Sequence, residues 1–303
     1  MIDKIDTRQS FSAIISKQLR IHQWTKNILV FVPAVSGHLL FEEGVFIETF
    51  FSFCSFCLIA SSFYIINDIH DIDSDRRHPI KKDRPIASGQ LPVKLALFIS
   101  LILFIMGAIL AFSIGLLFSI VILSYFILNI IYTYYAKQII ILDLIILMMF
   151  YTIRLLAGYV PLASHPSPWL LSFSIFLFFS LSLLKRYIET ILLLQEKNVV
   201  KIDGRGYTIN DSNLLMTIGV SSSFVAGLVL LLYTGSDNVT VLYSRPIILI
   251  AVVPIYMYWV SCMWFMAERG KIKSDPVIFA IKDKSTYITL ACFIIIGVLA
   301  GIK

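Results

Sequence analysis

The chain has 303 residues and a formal net charge of +6; 58% of it is hydrophobic and 15% charged. A soluble domain carries about 45–50% apolar and about 25% charged residues, and here the excess is arranged in runs long enough to cross a bilayer, which takes about 20 apolar residues. The composition excludes an ordinary soluble domain, and it makes topology and anionic lipid, not nucleic acid, the first account of the positive charge.

Candidate spans fall near residues 27–41, 46–66, 93–112, 114–135, 139–160, 169–190, 212–234, 246–266 and 284–302. The first is short and interrupted by Pro33 and His38, and only a tight turn near Ser113 and Gly115 separates the third from the fourth. Nine helices are expected, with eight as the alternative. The opening MIDKIDTRQSFSAIISKQLR mixes charges of both signs and lacks the pattern of a cleavable signal.

Lysine and arginine fall on alternate connections. Lys4, Arg8, Lys17, Arg20 and Lys26 precede the first span, and Arg76, Arg77, Lys81, Lys82 and Arg84 follow the second. Lys185, Arg186, Lys197, Lys201 and Arg205 follow the sixth, and Arg269, Lys271, Lys273, Lys282 and Lys284 the eighth. The other face offers little beyond Arg245 and Lys303. The positive-inside rule then places the N-terminus and the long loops, about 67–92, 186–211 and 267–284, in the cytoplasm of a bacterial-type plasma membrane. The expected fold is an all-α integral membrane protein, one transmembrane domain over 1–303 with a polar cytoplasmic cap. Cys54, Cys57, Cys262 and Cys292 all sit in apolar spans. The CxxC pair has no second pair or histidine to complete a zinc site, so packing accounts for them.

The second span ends in SSFYIINDIHDIDSDRRHPIKKDRPIASGQLP. If the helix continues, Asn67, Asp68, Asp71 and Asp75 share one stripe, because side chains three and four apart are neighbours, while Asp73 points elsewhere. Gathered carboxylates repel and need a counter-charge, and hard oxygen ligands suit Mg²⁺. Arg76, Lys82 and Arg84 follow at once, which fits a diphosphate held between metal and cations. A solvated helix end whose acids pair with these bases is the structural alternative. His70 and His78 in the same loop read as capping or solvated residues.

Asn67-Asp68-x-x-Asp71-x-x-x-Asp75, with Arg84-Pro85-Ile86-Ala87-Ser88-Gly89 after it, resembles the NDxxDxxxD region of UbiA-type intramembrane prenyltransferases. Arg20-x-x-x-Trp24-x-Lys26-Asn27 is similar to that family's entry segment, and Tyr132-Thr133, Lys137 and Asp143 to its second conserved region. Arg154 with Gly158, Trp169-Leu170, Lys185-Arg186-Tyr187-x-Glu189 and Gly204-Arg205-Gly206-Tyr207-Thr208 resemble the branch that moves phosphoribose onto a polyprenyl phosphate. The resemblance covers nearly the whole chain. One departure matters: aromatic prenyltransferases usually carry a second DxxxD cluster, and four residues after Asp143 stands Leu147.

The resemblance implies a Mg²⁺-dependent transfer of 5-phosphoribose from phosphoribosyl diphosphate (PRPP) to a decaprenyl-like phosphate, with cell-envelope biosynthesis as its setting. Prenyl transfer from an allylic diphosphate is the alternative, and transport of anionic solutes a third reading. Against transport, the charges cluster at one face and no inverted repeat or paired broken helices stand near the midplane. In the leading reading Asp68, Asp71 and Asp75 hold the metal and, with Lys137, make the catalytic set. Lys26, Asn67, Arg76, Lys82, Arg84, Tyr132, Asp143, Arg154, Lys185 and Arg186 are expected to bind substrate. Asp143 and Arg154 lie three turns apart, so they share a face, and Arg154 is expected to turn inward and pair with Asp143 or an anionic ligand. Lys185 and Glu189 are spaced for an i,i+4 pair. A homo-oligomer is compatible with the exposed helix faces.

Overall fold

The computed structural model describes residues 10–77, 81–194, 205–272 and 275–301. Lys4, Arg8, His78, Lys197, Lys201, Gly204, Lys273 and Lys303 lie outside the described residues.

In chain order the helices are α1 (Phe11–Leu19), α2 (Val32–Ser36), α3 (Val45–His70), α4 (Ile72–Arg77), α5 (Val93–Ile114), α6 (Leu116–Tyr134) and α7 (Leu142–Tyr159). There follow α8 (Pro168–Leu194), α9 (Ser212–Thr234), α10 (Asp237–Leu242), α11 (Val252–Glu268), α12 (Pro276–Lys282) and α13 (Lys284–Gly301). Eight helical segments among the described residues are long and apolar enough to cross a membrane: α3, α5, α6, α7, α8, α9, α11 and α13, with short 3₁₀ turns extending α9 and α11. The chain is an all-α integral membrane protein.

The expected first span, 27–41, is not among the eight. Ile21–Phe31 forms an eleven-residue 3₁₀ segment that passes into the five-residue α2. Pro33 lies in the first turn of α2, where its missing N–H is harmless, and His38 just beyond takes φ 60°. The 3₁₀ rise of about 2.0 Å per residue still gives this unit about 30 Å of contour. It packs against α3 and α7. Gly158 makes that approach achievable, because a Cβ there would stand 2.1 Å from the Val30 carbonyl oxygen.

The tight turn expected near Ser113 and Gly115 is a single residue. Gly115 takes φ 141° between α5 and α6, a backbone conformation open to glycine. α3 and α7 are the most enclosed of the long helices, whereas α5, α6 and α13 turn mostly apolar surface outward. Two apolar clusters flank the inner pair. Phe56, Phe118, Tyr125 and Ile153 pack between α3, α6 and α7. Tyr151, Phe178, Leu183, Tyr187, Leu215, Tyr256 and Trp264 pack between α7, α8, α9 and α11. The polar side chains therefore collect where the ends of α3, α6, α7 and α8 meet.

Candidate active site

The acidic stripe keeps its helical register across a break. α3 ends at His70 and α4 begins at Ile72, yet the Asp71 amide still donates to the Asn67 carbonyl and the Asp75 amide to the Asp71 carbonyl, at 2.9 and 2.8 Å. Asp68, Asp71 and Asp75 thus descend one face, with Asp68 and Asp75 buried. Asp73 is exposed and points away.

Each acid has a cation beside it. Asp68 accepts from Arg20 at 2.5 Å, from Gln18 at 2.9 Å and from Arg84 at 3.0 Å. The same Arg84 nitrogen donates to Asp75 at 2.6 Å. Arg20 reaches Asp68 because its own backbone turns left-handed (φ 52°, ψ 48°) between α1 and the 3₁₀ segment. Asp71 meets Lys137 at 3.2 Å and His70 at 3.0 Å. Burial pushes the Asp71 carboxyl up, but the hydrogen bond from His70 and the Lys137 ammonium outweigh it and hold the group below the ordinary aspartate range. Asn67 accepts from Thr133 at 2.8 Å, which ties α3 to α6. Arg76 is exposed at the rim, its Nε on the Ala87 carbonyl at 3.2 Å, and Lys82 is exposed beside it.

These oxygens fit a divalent cation in kind. Asp68 and Asp75 share one positive centre, the Arg84 guanidinium, at 3.0 and 2.6 Å. No three His, Cys, Asp or Glu side chains among the described residues form a complete cage. Mg²⁺ needs none, since it commonly takes one or two carboxylates and completes its shell with water and phosphate oxygens.

Asp143 behaves differently. It is fully buried and accepts from Arg186 at 2.7 Å and from the Tyr207 hydroxyl at 2.7 Å. Arg186, also fully buried, gives its other nitrogens to Glu189 at 2.5 Å and to the Tyr132 hydroxyl at 3.2 Å. Arg205 adds a second bond to Tyr132 at 2.8 Å. Ile141, at φ 68° a strained conformation for a β-branched residue, turns the chain into α7, and its amide donates to the Tyr207 hydroxyl at 2.8 Å. Tyr132, Asp143 and Arg186 were expected to meet substrate; instead they lock α6, α7, α8 and the 205–208 segment together. Arg186 spends every donor group on protein partners, so a ligand would have to displace one of them.

Three expected pairings are corrected. Arg154 does face the interior but not Asp143: eleven residues are about 16 Å of helix, too far for contact. Arg154 donates to Asn27 at 2.7 Å, to Tyr125 at 3.2 Å and to the Phe150 carbonyl. Glu189 pairs with Arg186, not Lys185. Lys185 reaches Asp275 at 3.5 Å, and Lys26 reaches the same carboxylate at 2.8 Å.

Asp275 is the residue that sequence reasoning missed. It also caps α12, accepting from the Val277 amide at 3.1 Å. An aspartate before Pro276 signals a helix start, and nothing local marks it as the partner of residues 249 and 90 positions away. Burial raises its carboxyl pKa, yet Lys185, Lys26 and the Val277 amide hold it far below the carboxylate range.

The UbiA prenyltransferase family profile matches residues 30–281. The chain belongs to this family. It is 33% identical over 271 residues to the uncharacterized protein y4nM of Sinorhizobium fredii, covering 89% of this chain and 52% of that one, so it spans about half the length of that relative. The nodulation protein NoeC of Azorhizobium caulinodans is 33% identical over 273 residues, 89% of this chain and 88% of that. Decaprenyl-phosphate phosphoribosyltransferase of Mycolicibacterium smegmatis is 28% identical over 285 residues, 92% and 89%. A UbiA homolog from Archaeoglobus fulgidus, solved bound to GPP and Mg²⁺, superposes with a TM-score of 0.69 at 16% identity over 95% of this chain and 99% of that one. This last likeness speaks to the fold.

Proposed function

We propose that this UbiA-family enzyme is a Mg²⁺-dependent transferase that moves 5-phosphoribose from PRPP onto a polyprenyl phosphate and releases diphosphate. We place the reaction at the cytoplasmic face of an inner membrane, where the lysine and arginine bias puts the acidic stripe. One observation carries the reading. Asp143 is enclosed by Arg186 and Tyr207, with Leu147 one turn on, so the region in which aromatic prenyltransferases keep a second acidic cluster is closed. One carboxylate cluster suits one diphosphate, with an acceptor that carries its own phosphate. The relatives named decaprenyl-phosphate phosphoribosyltransferase support the same choice.

Asp68, Asp71 and Asp75 would hold Mg²⁺, which supplies charge stabilisation to the departing diphosphate. Lys137 and Arg84, already at the stripe, would contact the diphosphate oxygens, and Asn67 would hydrogen-bond the donor. Arg76 and Lys82 at the rim favour arrival of an anion. An oxygen of the lipid phosphate attacks C1 of the ribose as the C1–O bond to diphosphate breaks. That oxygen is already ionised at neutral pH, so the protein needs neither a strong base nor a covalent intermediate. Its contribution is orientation and preorganised charge. Tyr132, Asp143 and Arg186 keep the helix ends in register.

The test is a membrane assay with labelled PRPP and decaprenyl phosphate, with and without Mg²⁺, in wild type and Asp71→Asn. Metal-dependent label in the lipid, lost in the variant, is expected. Transfer from an allylic diphosphate, with none from PRPP, would replace this reading by prenyl transfer.

A further inference from the structure

A second group of cations lies apart from the acidic stripe, around Tyr151. The Lys26 ammonium stands 5.8 Å from the centre of the Tyr151 ring, and the ring stacks on Phe178 at 4.6 Å. Asp275, Lys185 and Arg154 surround the same tyrosine. The arrangement is assembled from distant elements. Lys26 comes from the 3₁₀ segment, Lys185 from α8, Tyr151 and Arg154 from adjacent turns of α7, and Asp275 from the start of α12. Asn27, next to Lys26, accepts from Arg154 at 2.7 Å and so joins the two sides.

The charges do not balance. Among the described residues, Asp275 is the only carboxylate within salt-bridge distance of Lys26 or Lys185, at 2.8 and 3.5 Å. Arg154 is buried, and its printed partners are neutral: an amide oxygen, a carbonyl and a phenol. Three cations therefore face one carboxylate, leaving a surplus of two positive charges in a half-enclosed place. A buried cation without a counter-charge is costly unless a ligand supplies one. A phosphate monoester carries about −1.5 to −2 at neutral pH and offers three acceptor oxygens, which matches the surplus in sign, size and donor number. The acidic stripe offers the opposite chemistry, carboxylates that need a metal before they tolerate phosphate.

We propose that Lys26, Lys185 and Arg154 form the seat of a phosphate monoester, separate from the diphosphate position at the acidic stripe, with Asp275 as the resident counter-ion that holds the two lysines together. The proposal rests on the phosphoribosyl reading, in which two monoesters reach the enzyme: the 5-phosphate of the donor and the phosphate of the lipid. A guanidinium and two ammonium groups would grip either in the same way.

The experiment uses the full chain in nanodiscs and compares wild type with Lys26→Gln, Lys185→Gln and Lys185→Arg. Binding is measured for decaprenyl phosphate against decaprenol, and for ribose 5-phosphate against ribose. We expect one monophosphate to bind while its dephosphorylated form does not. Each glutamine variant should weaken that binding about tenfold, and Lys185→Arg should stay within about threefold of wild type, since one lost charge contact is worth about 1.4 kcal/mol per decade. In turnover, KM for the matching substrate should rise by the same factor with kcat within about threefold. Whichever substrate responds identifies the source of the phosphate. Lys185 is partly exposed (31%), so glutamine is accommodated there even if Lys26→Gln folds poorly. Unchanged affinity for both monophosphates in the glutamine variants overturns the seat. If wild type fails to use PRPP but binds decaprenyl phosphate in this lysine-dependent way, the phosphoribosyl reading falls and the seat stands.

Discussion

Replacing Arg186 by methionine isolates the closed joint from the proposed chemistry. The change keeps an unbranched apolar stem and removes a guanidinium whose side chain is fully buried. Asp143, equally buried, loses the 2.7 Å bond from Nε and keeps only the Tyr207 hydroxyl. Breaking a buried pair by deleting one partner costs about 3–5 kcal/mol. The surviving Tyr207 bond argues for the lower end. Glu189, 32% exposed, can turn to solvent, and Tyr132 keeps Arg205 at 2.8 Å, so neither adds much. The expected loss is about 3 kcal/mol. Adding Asp143→Leu removes the stranded charge, and the double variant should return to within about 1 kcal/mol of wild type, the remainder being the lost Tyr207 bond. Equilibrium unfolding in mixed micelles, followed by tryptophan fluorescence, measures both. A single variant that loses less than about 1 kcal/mol, or a double variant no better than the single, would refute the account of Arg186 as a buried structural cation.

Three further outcomes follow from contacts elsewhere. Gly158→Ala should destabilise by about 1–3 kcal/mol in the same unfolding assay, more than Gly227→Ala, because its new Cβ meets the Val30 carbonyl at 2.1 Å whereas at Gly227 the nearest atom is a Tyr256 side-chain carbon at 3.3 Å. Asp275→Asn keeps a capping residue but removes the charge. The Asp275 pKa is depressed on folding, so its contribution is present above the ordinary aspartate value of about 3.9 and fades as pH falls through that value toward the lower folded one. Wild type should therefore exceed the variant at neutral pH, with the gap closing from about pH 4 downward in a pH series of unfolding midpoints. Arg84→Gln withdraws the guanidinium shared by Asp68 and Asp75, so millimolar Mg²⁺ should raise its thermal midpoint more than that of wild type; equal shifts would argue against these carboxylates as a cation site.

Much of the bundle is legible in the chain because its signals are local. Hydropathy adds residue by residue along a segment, so the later spans fall close to the observed helices. The i, i+3, i+4 spacing of Asn67, Asp68, Asp71 and Asp75 places them on one stripe whatever packs against it. Pro33 and His38 mark the first span as irregular. Which 3₁₀ and helical pieces replace it depended on close approach to α7 at Gly158.

Charge partnership was the part the sequence by itself could not determine. Spacing within α7 linked Asp143 to Arg154, and spacing within α8 linked Lys185 to Glu189. In the folded chain Asp143 belongs to Arg186, and Lys185 shares Asp275 with Lys26. An ion pair forms between side chains whose helix ends meet, at distances of about 3 Å where Coulomb energy is large. Helix register orders residues along one element, but only tertiary packing of α6, α7, α8 and the 3₁₀ segment decided which charges stand face to face.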